Sequence, residues 1–147
     1  NWMYSQEIGA LGHGDKEPHF LPQRVNFFNE NDIKVKQISA GLMHCNVLSE
    51  SGELYTWGRG LYGVLGTGSN SPELSPILNE DVKALTHEGD STNKIVDMQS
   101  ADEYTVIRLQ DGSLWAWGKN DKGQMGTQVG IGMDMGMGLF WSGMVGV

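Results

Sequence analysis

A motif built around a tryptophan and a glycine turn occurs twice in this chain, and no other feature restricts the fold as strongly. Residues 52–58 (GELYTWG) align without a gap to residues 112–118 (GSLWAWG), sixty positions later. A similar second motif follows each copy, at 63–67 (GVLGT) and 123–127 (GQMGT). A period of roughly 50–60 residues predicts a propeller or a solenoid array rather than one irregular globular unit.

A third, partial copy lies near the amino end. Residues 9–14 (GALGHG) match 63–68 (GVLGTG), and Pro22 matches Pro76 after an equal interval. The chain thus holds about two and a half units, whereas propellers typically close with 4–8 blades. Because it also begins at Asn1, we expect it to be a segment of a longer protein. We expect residues 1–147 alone to be unstable or to aggregate unless further blades or a partner cover the end blades.

Within each unit the residues predict short strands joined by tight turns. No segment has a convincing apolar period of 3.6 residues, so the predicted class is all-β. The predicted strands are 34–39, 44–49 and 53–58 in one unit, and 94–99, 104–109 and 113–118 in the next, with hairpin turns at 50–52 and 110–112.

Charge and composition exclude several classes of function. The formal net charge of −8 argues against direct nucleic-acid binding by this segment, which would need clustered Lys and Arg. The single cysteine, Cys45, cannot form an internal disulfide, which favours an intracellular, reducing compartment, the cytoplasm or the nucleus. The apolar stretch 130–147 holds Asp134 and six glycines, so we expect no membrane span.

Two variable segments separate the repeated cores. The segment 25–33 is polar, and its counterpart 79–93 is six residues longer and more acidic. Insertions in a repeat array map to loops on one face, which is often the binding face. The candidate protein-contact residues are Glu80, Asp81, Glu88 and Asp90. The alternative is that they form a solvated acidic loop without a partner.

Several spaced positions together resemble a known repeat. The pattern consists of AGxxH at 40–44, GxLYxWG at 52–58, GxLGxG at 63–68 and then Pro76. It closely resembles the repeat of the regulator of chromosome condensation family, over about residues 2–128. The next unit departs from the pattern at 100–101 (SA) and at Tyr104, where the family has Ala-Gly and His.

This resemblance implies four-stranded blades, here a partial β-propeller from a seven-bladed ring. The expected organisation is a partial blade at 1–25, blades at 26–78 and 79–128, and an atypical Gly/Met-rich tail at 129–147 that we assign to no blade. His44 matches the structural histidine of the family. The positions expected to form the structural core of the repeats are His44, Gly52, Trp57, Gly58, Gly66, Gly112, Trp117, Gly118 and Gly126.

No set of residues predicts catalysis or cofactor binding. Residues 58–63 (GRGLYG) fit the letters of a dinucleotide fingerprint, but a βαβ unit is not predicted around them. No two histidines have the spacing of a zinc site, so we expect no metal, no cofactor and no enzymatic activity. The first hypothesis is a non-catalytic module that binds a protein partner or a larger assembly. The second is guanine-nucleotide exchange on a small GTPase, which the resemblance implies. Chromatin association is a third hypothesis, which the acidic balance disfavours.

Overall fold

The computed structural model describes residues 9–87 and 93–126, together with the backbone of Phe140 and Trp141. Its strands form two antiparallel four-stranded sheets in sequential order. The first contains β1 (Val35–Ala40), β2 (His44–Ser49), β3 (Leu54–Gly58) and β4 (Glu73–Leu78). The second contains β5 (Ile95–Ser100), β6 (Tyr104–Leu109), β7 (Leu114–Gly118) and β8 (Phe140–Trp141). Helix α1 (Phe27–Glu30) precedes the first sheet and helix α2 (Glu80–His87) precedes the second.

The two sheets repeat one another in register. Cys45 faces Trp57 across β2 and β3, and Thr105 faces Trp117 at the equivalent place in β6 and β7. The register shift between Val35 and Gln37 in β1 recurs between Ile95 and Asp97 in β5. The prediction of three antiparallel strands without a helix in each of 34–58 and 94–118 is therefore confirmed.

Glycines close both hairpin turns. Gly52 has φ +92° and Gly112 has φ +87°, a left-handed backbone in which a residue with a Cβ atom is strained. Each donates its N–H to the carbonyl oxygen three residues earlier, Ser49 or Leu109, over 3.0 Å. The backbone at these two positions explains why the repeat carries glycine there.

Strands β2 and β3 of the first sheet are buried on both faces. One face packs against the second sheet in a cluster that includes Leu48 and Leu54, and the other packs against residues 25–33 in a cluster that includes Tyr55 and Trp57. The second sheet differs, because Leu114, the counterpart of Leu54, is 50% exposed whereas Leu54 is 1% exposed. The first sheet thus lies between residues 25–33 and the second sheet. Stacked antiparallel sheets of this kind form part of a β-propeller.

The variable segments are not the irregular loops that the sequence predicted. Residues 80–87 form α2, and residues 27–30 form the single turn α1. Asn79 explains where α2 begins, since its side-chain oxygen accepts a hydrogen bond from the Val82 amide over 2.9 Å, as an N-cap does. Val82 is buried in the core between the sheets. The period of 3.6 residues is hard to recognise in a helix of eight residues that buries so few side chains.

The outer strand of the second sheet comes from the range interpreted as an atypical tail. Phe140 pairs with Ala116 and Trp141 pairs with Trp115. The sequence assigned 129–147 to no blade, and the pairing of these two residues gives the second sheet its fourth strand.

Candidate functional site

The connections between strands emerge at two opposite ends of the sheets. One end carries the loops 41–43, 59–72 and 101–103. We call it the Arg59 end, after the first residue of the loop that follows β3, and His44 pairs with Gly58 there. The other end carries the hairpin turns and the two helices, and we call it the helix end. Loops on a rigid β scaffold are where binding residues concentrate, so each end is a candidate surface.

The helix end carries the predicted acidic contact residues. Glu80 and Asp81 lie in the first turn of α2 and are exposed. Their negative charges face the positive end of the helix dipole, which favours them modestly. Glu88 and Asp90 lie outside the described residues. The structure thus brings together two of the four predicted contact residues, at one helix terminus.

Glu53 extends this negative surface toward the neighbouring hairpin. Its carboxylate lies 3.4 Å from the Lys83 ammonium and accepts hydrogen bonds from Ser51 (3.1 Å) and the Tyr55 hydroxyl (3.2 Å). Burial alone would raise the pKa of Glu53, but these hydrogen bonds and the Lys83 charge outweigh it and lower the pKa. Glu53 is therefore ionised and held in place at neutral pH.

The Arg59 end carries a tyrosine in an unusual backbone conformation. Tyr62 has φ 61° and ψ 18°, a left-handed conformation that costs a non-glycine residue about 1–2 kcal/mol. More than half of its surface is covered, yet 43% of the residue stays exposed to solvent. Strained, exposed side chains of this kind cluster at functional sites.

Lys119 connects Tyr62 with the second sheet. Its ammonium lies 4.8 Å from the centre of the Tyr62 ring, a cation–π distance. It also forms an ion pair with Glu103 and lies 3.9 Å from Asp121. The hydrogen bond to Glu103 is the main reason that the pKa of Lys119 is raised. These contacts fix the tyrosine ring against the edge of the neighbouring sheet.

A shallow depression beside Tyr62 lies between the two sheets. It is lined by Leu42, Met43, Arg59, Leu61, Asp102 and Glu103, among others. Leu42 is 61% exposed, and its amide donates to the Asp102 carbonyl oxygen over 3.1 Å. This surface was not predicted from the sequence, where the one signal for it is that Leu42, Leu61 and Tyr62 are apolar or aromatic residues in loops.

A buried polar network holds the sheets together beneath this depression. The Nε2 atom of His44 lies 3.0 Å from the Thr105 hydroxyl oxygen, and the Asn46 amide donates to the hydroxyls of Thr105 (3.1 Å) and Ser100 (2.9 Å). Burial lowers the pKa of His44 to about 4, so its ring is neutral at physiological pH. His44 therefore serves as a neutral hydrogen-bonding partner between the sheets.

Each repeat tryptophan is attached to the loop of the preceding unit. Trp57 is 6% exposed and Trp117 is 2% exposed, so the prediction that both are buried is confirmed. The Trp57 indole N–H donates to the Ala10 carbonyl oxygen over 3.0 Å, and the Trp117 indole N–H donates to that of Val64 over 2.9 Å. The carbonyl oxygen and the indole thus form the same contact at two successive unit boundaries.

Glycine gives the indole room at both boundaries. A Cβ atom on Gly12 would lie 2.7 Å from the Trp57 Nε1 atom, and one on Gly66 would lie 2.7 Å from that of Trp117. Gly58 and Gly118 make room for a backbone carbonyl group instead of an indole. A Cβ atom on Gly58 would lie 2.5 Å from the Met43 carbonyl oxygen, and one on Gly118 would lie 2.5 Å from that of Glu103. These are close approaches that only glycine permits.

The family model that matches this chain describes the "Regulator of chromosome condensation (RCC1) repeat". It matches residues 5–48 and 51–107, and a second model of the same repeat matches 35–64 and 95–124. Neither helix in the described ranges has the length and apolar character that a membrane span requires.

Two curated relatives illustrate the range of proteins that carry similar segments. The chain is 36% identical over 122 residues to the E3 ubiquitin-protein ligase HERC2 of Homo sapiens, an alignment that covers 80% of this chain and 2% of that protein. It is 31% identical over 120 residues to the ultraviolet-B receptor UVR8 of Arabidopsis thaliana, covering 82% of this chain and 25% of that protein. The chain therefore spans a quarter or less of the length of these two relatives.

Solved structures resemble the fold. Prp20p of Saccharomyces cerevisiae, studied for its binding to Gsp1p and histones, aligns with a TM-score of 0.56 and 25% identity over 78% of this chain and 27% of its own. Yeast Prp20 bound to Kap60 aligns with a TM-score of 0.59 and 21% identity, over 92% of this chain and 29% of its own. The second alignment supports the fold alone.

Proposed function

We propose that this chain, which belongs to the regulator of chromosome condensation (RCC1) repeat family, is a non-catalytic protein-binding module whose contact surface is the Arg59 end. The observation that carries the proposal is Tyr62, an exposed aromatic side chain held in a left-handed backbone conformation between two sheets. Tyrosine supplies large contact area at low cost in conformational entropy, which is why it is frequent at binding interfaces.

The surroundings of Tyr62 suit a protein partner. Leu42 adds an exposed apolar side chain, while Lys119, Glu103 and Asp121 supply charges of both signs around the ring. An apolar centre with a polar, charged rim is the usual composition of a protein–protein interface. We infer a partner that presents an apolar side chain to Tyr62 and polar groups to the rim, and we place the encounter in a reducing compartment, the cytoplasm or the nucleus.

The experiment compares the two ends in the full-length protein with a purified partner identified by co-purification. A Leu42→Ser/Tyr62→Gly variant should lower the affinity at least tenfold, the scale of an interface hot spot. Glycine tolerates the left-handed backbone, so Tyr62→Gly removes the ring without adding strain. The matched control at the helix end is Glu80→Gln/Asp81→Asn. If the control abolishes binding and the first variant does not, the contact surface is the helix end and the proposal is wrong.

A second candidate function is nucleotide exchange on a small GTPase. The observation in its favour is the 25% identity to Prp20p, a protein studied for its binding to Gsp1p. Exchange is measured directly, by the release of a fluorescent guanine nucleotide from a panel of small GTPases with the full-length protein added. Faster nucleotide release from any GTPase of the panel would contradict the non-catalytic hypothesis. Tight binding of a GTPase without faster release would support the non-catalytic hypothesis.

A further inference from the structure

Two serines of this chain are followed by proline, and the structure places them in different surroundings. Ser71 and Pro72 lie in the loop before β4, where both residues are exposed. Ser75 and Pro76 lie within β4, where the proline is buried and the serine is half-buried. An enzyme that modifies a strand residue needs the strand to open first, whereas it reaches a loop residue without that cost. Ser71 is therefore the more accessible of the two.

The hydroxyl of Ser71 is not used by the fold. Among the described residues it makes no hydrogen bond. The amide N–H of Ser71 is already paired, since it donates to the Ser69 hydroxyl oxygen over 3.0 Å. Pro72 favours an extended backbone at the residue before it, because its ring clashes with a helical conformation there. The segment thus presents an extended serine whose hydroxyl is unengaged.

The same loop begins with a cation that lacks an anionic partner. Arg59 forms no ion pair with a carboxylate in the described ranges. Its Nη1 atom lies 3.3 Å from the Met43 sulfur, which is a weak acceptor. A guanidinium has five N–H donors and matches the geometry of a phosphate. Arg59 can therefore take up a phosphate without giving up an existing ion pair.

The two ends of this loop are in contact. A Cβ atom on Gly60 would lie 2.0 Å from the Ser71 carbonyl oxygen, so the backbone of residue 71 packs against the residue after Arg59. The side-chain oxygen of Asn70 accepts a hydrogen bond over 3.0 Å from the amide of the residue after Tyr62. These contacts hold the serine beside Arg59 and beside the turn that contains the exposed tyrosine.

We propose that Ser71 is a phosphorylation site for a protein kinase that accepts proline after the serine, and that the phosphate pairs with Arg59. In the transfer, the Ser71 Oγ atom attacks the γ-phosphorus of ATP, and the bond from that phosphorus to the β–γ bridging oxygen breaks. ADP leaves, and the hydroxyl proton passes to a base of the kinase.

Phosphorylation of Ser71 regulates the Arg59 end, a consequence that rests on the proposed function. The phosphate adds a charge of about −1.5 to −2 next to the apolar centre formed by Leu42 and Tyr62. A partner that covers this centre must strip water from the phosphate, and it loses access to the Arg59 guanidinium. Phosphorylation therefore weakens partner binding at this end.

The site is tested on the full-length protein, with ATP and a purified kinase that modifies serine before proline. Mass spectrometry should find phosphate appearing on Ser71 roughly tenfold or more faster than on Ser75, whose strand must open first. Ser71→Ala should remove the faster reaction, and Pro72→Ala should slow it. Equal rates at the two serines would overturn the proposal. So would an unmodified Ser71 while the same kinase modifies an unfolded peptide of that sequence.

The pairing with Arg59 is tested by phosphorus NMR without a partner. A guanidinium favours the dianionic phosphate, so the titration of the phosphoserine should shift to lower pH, and Arg59→Gln should abolish that shift. Identical titrations of the two phosphorylated proteins would overturn the pairing.

The effect on binding is measured separately, with a purified partner. Phosphorylation should lower the affinity at least about tenfold, and kinase treatment of the Ser71→Ala protein should not. If Ser71 is phosphorylated and paired with Arg59 but the affinity is unchanged, the partner binds elsewhere. That result would overturn the regulation and the proposed contact surface, whereas a missing phosphate would overturn the modification site alone.

Discussion

The indole of Trp117 donates its N–H to the carbonyl oxygen of Val64 over 2.9 Å, which ties the second sheet to the loop that leaves the first. The acceptor is a backbone atom, so the contact depends on the shape of the loop and on the tryptophan rather than on the side chain at position 64. Removing the indole would leave a large cavity between the sheets, and the buried carbonyl oxygen would keep only the longer hydrogen bond from the Thr105 hydroxyl, at 3.4 Å.

Replacing Trp117 with alanine should lower the free energy of unfolding by about 3–5 kcal/mol, and Trp57→Ala should do the same. Trp115→Ala is the matched control. That side chain is only half-buried and donates to Ser113 on its own hairpin, so its loss should cost about 1–2 kcal/mol. Urea denaturation of the full-length protein measures all three, and equal values for Trp115→Ala and Trp117→Ala would contradict the assigned role of the indole.

His44 should make stability fall as the solution is acidified. Burial lowers its pKa to about 4 from 6.5, so below pH 6.5 the unfolded chain binds a proton that the folded chain does not. The stability due to neutral His44 is complete above pH 6.5 and is lost as the pH falls toward 4, by about 3 kcal/mol in all. Urea midpoints at pH 7.5, 5.5 and 4.5 measure the loss.

The control for this pH dependence is His44→Gln, whose amide can still bond to the Thr105 hydroxyl but does not titrate. Glu53 has a lowered pKa and loses its own contribution at more acidic pH, and it does so in both proteins. The difference between the two proteins therefore isolates the histidine. Parallel pH profiles between pH 7.5 and 4.5 would show that the His44 ring is hydrated in the folded protein.

Asn79 should determine whether α2 forms. Its side chain accepts from the Val82 amide and donates to the Leu65 carbonyl oxygen, both over 2.9 Å, and it is fully buried. Asn79→Ala removes the N-cap and leaves a buried acceptor unpaired, at a cost of about 2–4 kcal/mol. Hydrogen exchange at the Val82 amide should accelerate accordingly. Asn93→Ala, which removes two exposed hydrogen bonds to Asp111, should change stability by less than about 0.5 kcal/mol.

The acidic residues at the helix end lead to a prediction about salt. If they contact a basic partner, replacing Glu80, Asp81, Glu88 and Asp90 with their amides should weaken the complex, and the weakening should be larger at low ionic strength. The matched control is Glu30→Gln/Asp32→Asn, two exposed acids of the shorter segment before β1. Affinity that is equal in all proteins at every salt concentration would show that the acidic surface is merely solvated.

The repeat predicted six of the strands because the alternation and the turn glycines recur in both copies. It did not predict α2, because that helix depends on the Asn79 cap and on the burial of Val82. These contacts leave no periodic pattern of apolar residues in the sequence. Strand β4 was not predicted from its own residues, as Pro76 interrupts an otherwise regular strand pattern. The sequence marks the Arg59 end only by apolar and aromatic residues in its loops, and neither the left-handed conformation of Tyr62 nor its contact with Lys119 can be predicted from it.

The segment between β4 and β5 has a consequence for how such proteins diverge. In the described strands, each hydrogen-bonded ladder stays within its own sheet, and neighbouring sheets meet through side chains, through the Trp117–Val64 bond and through the backbone bond from Leu42 to Asp102. Extra residues between β4 and β5 therefore shift no strand register. Evolution can lengthen that segment at little thermodynamic cost as long as the Asn79 cap and the buried Val82 side chain are kept, since the cost of closing a loop rises slowly with its length. New partners can be acquired there while the repeated core is left intact.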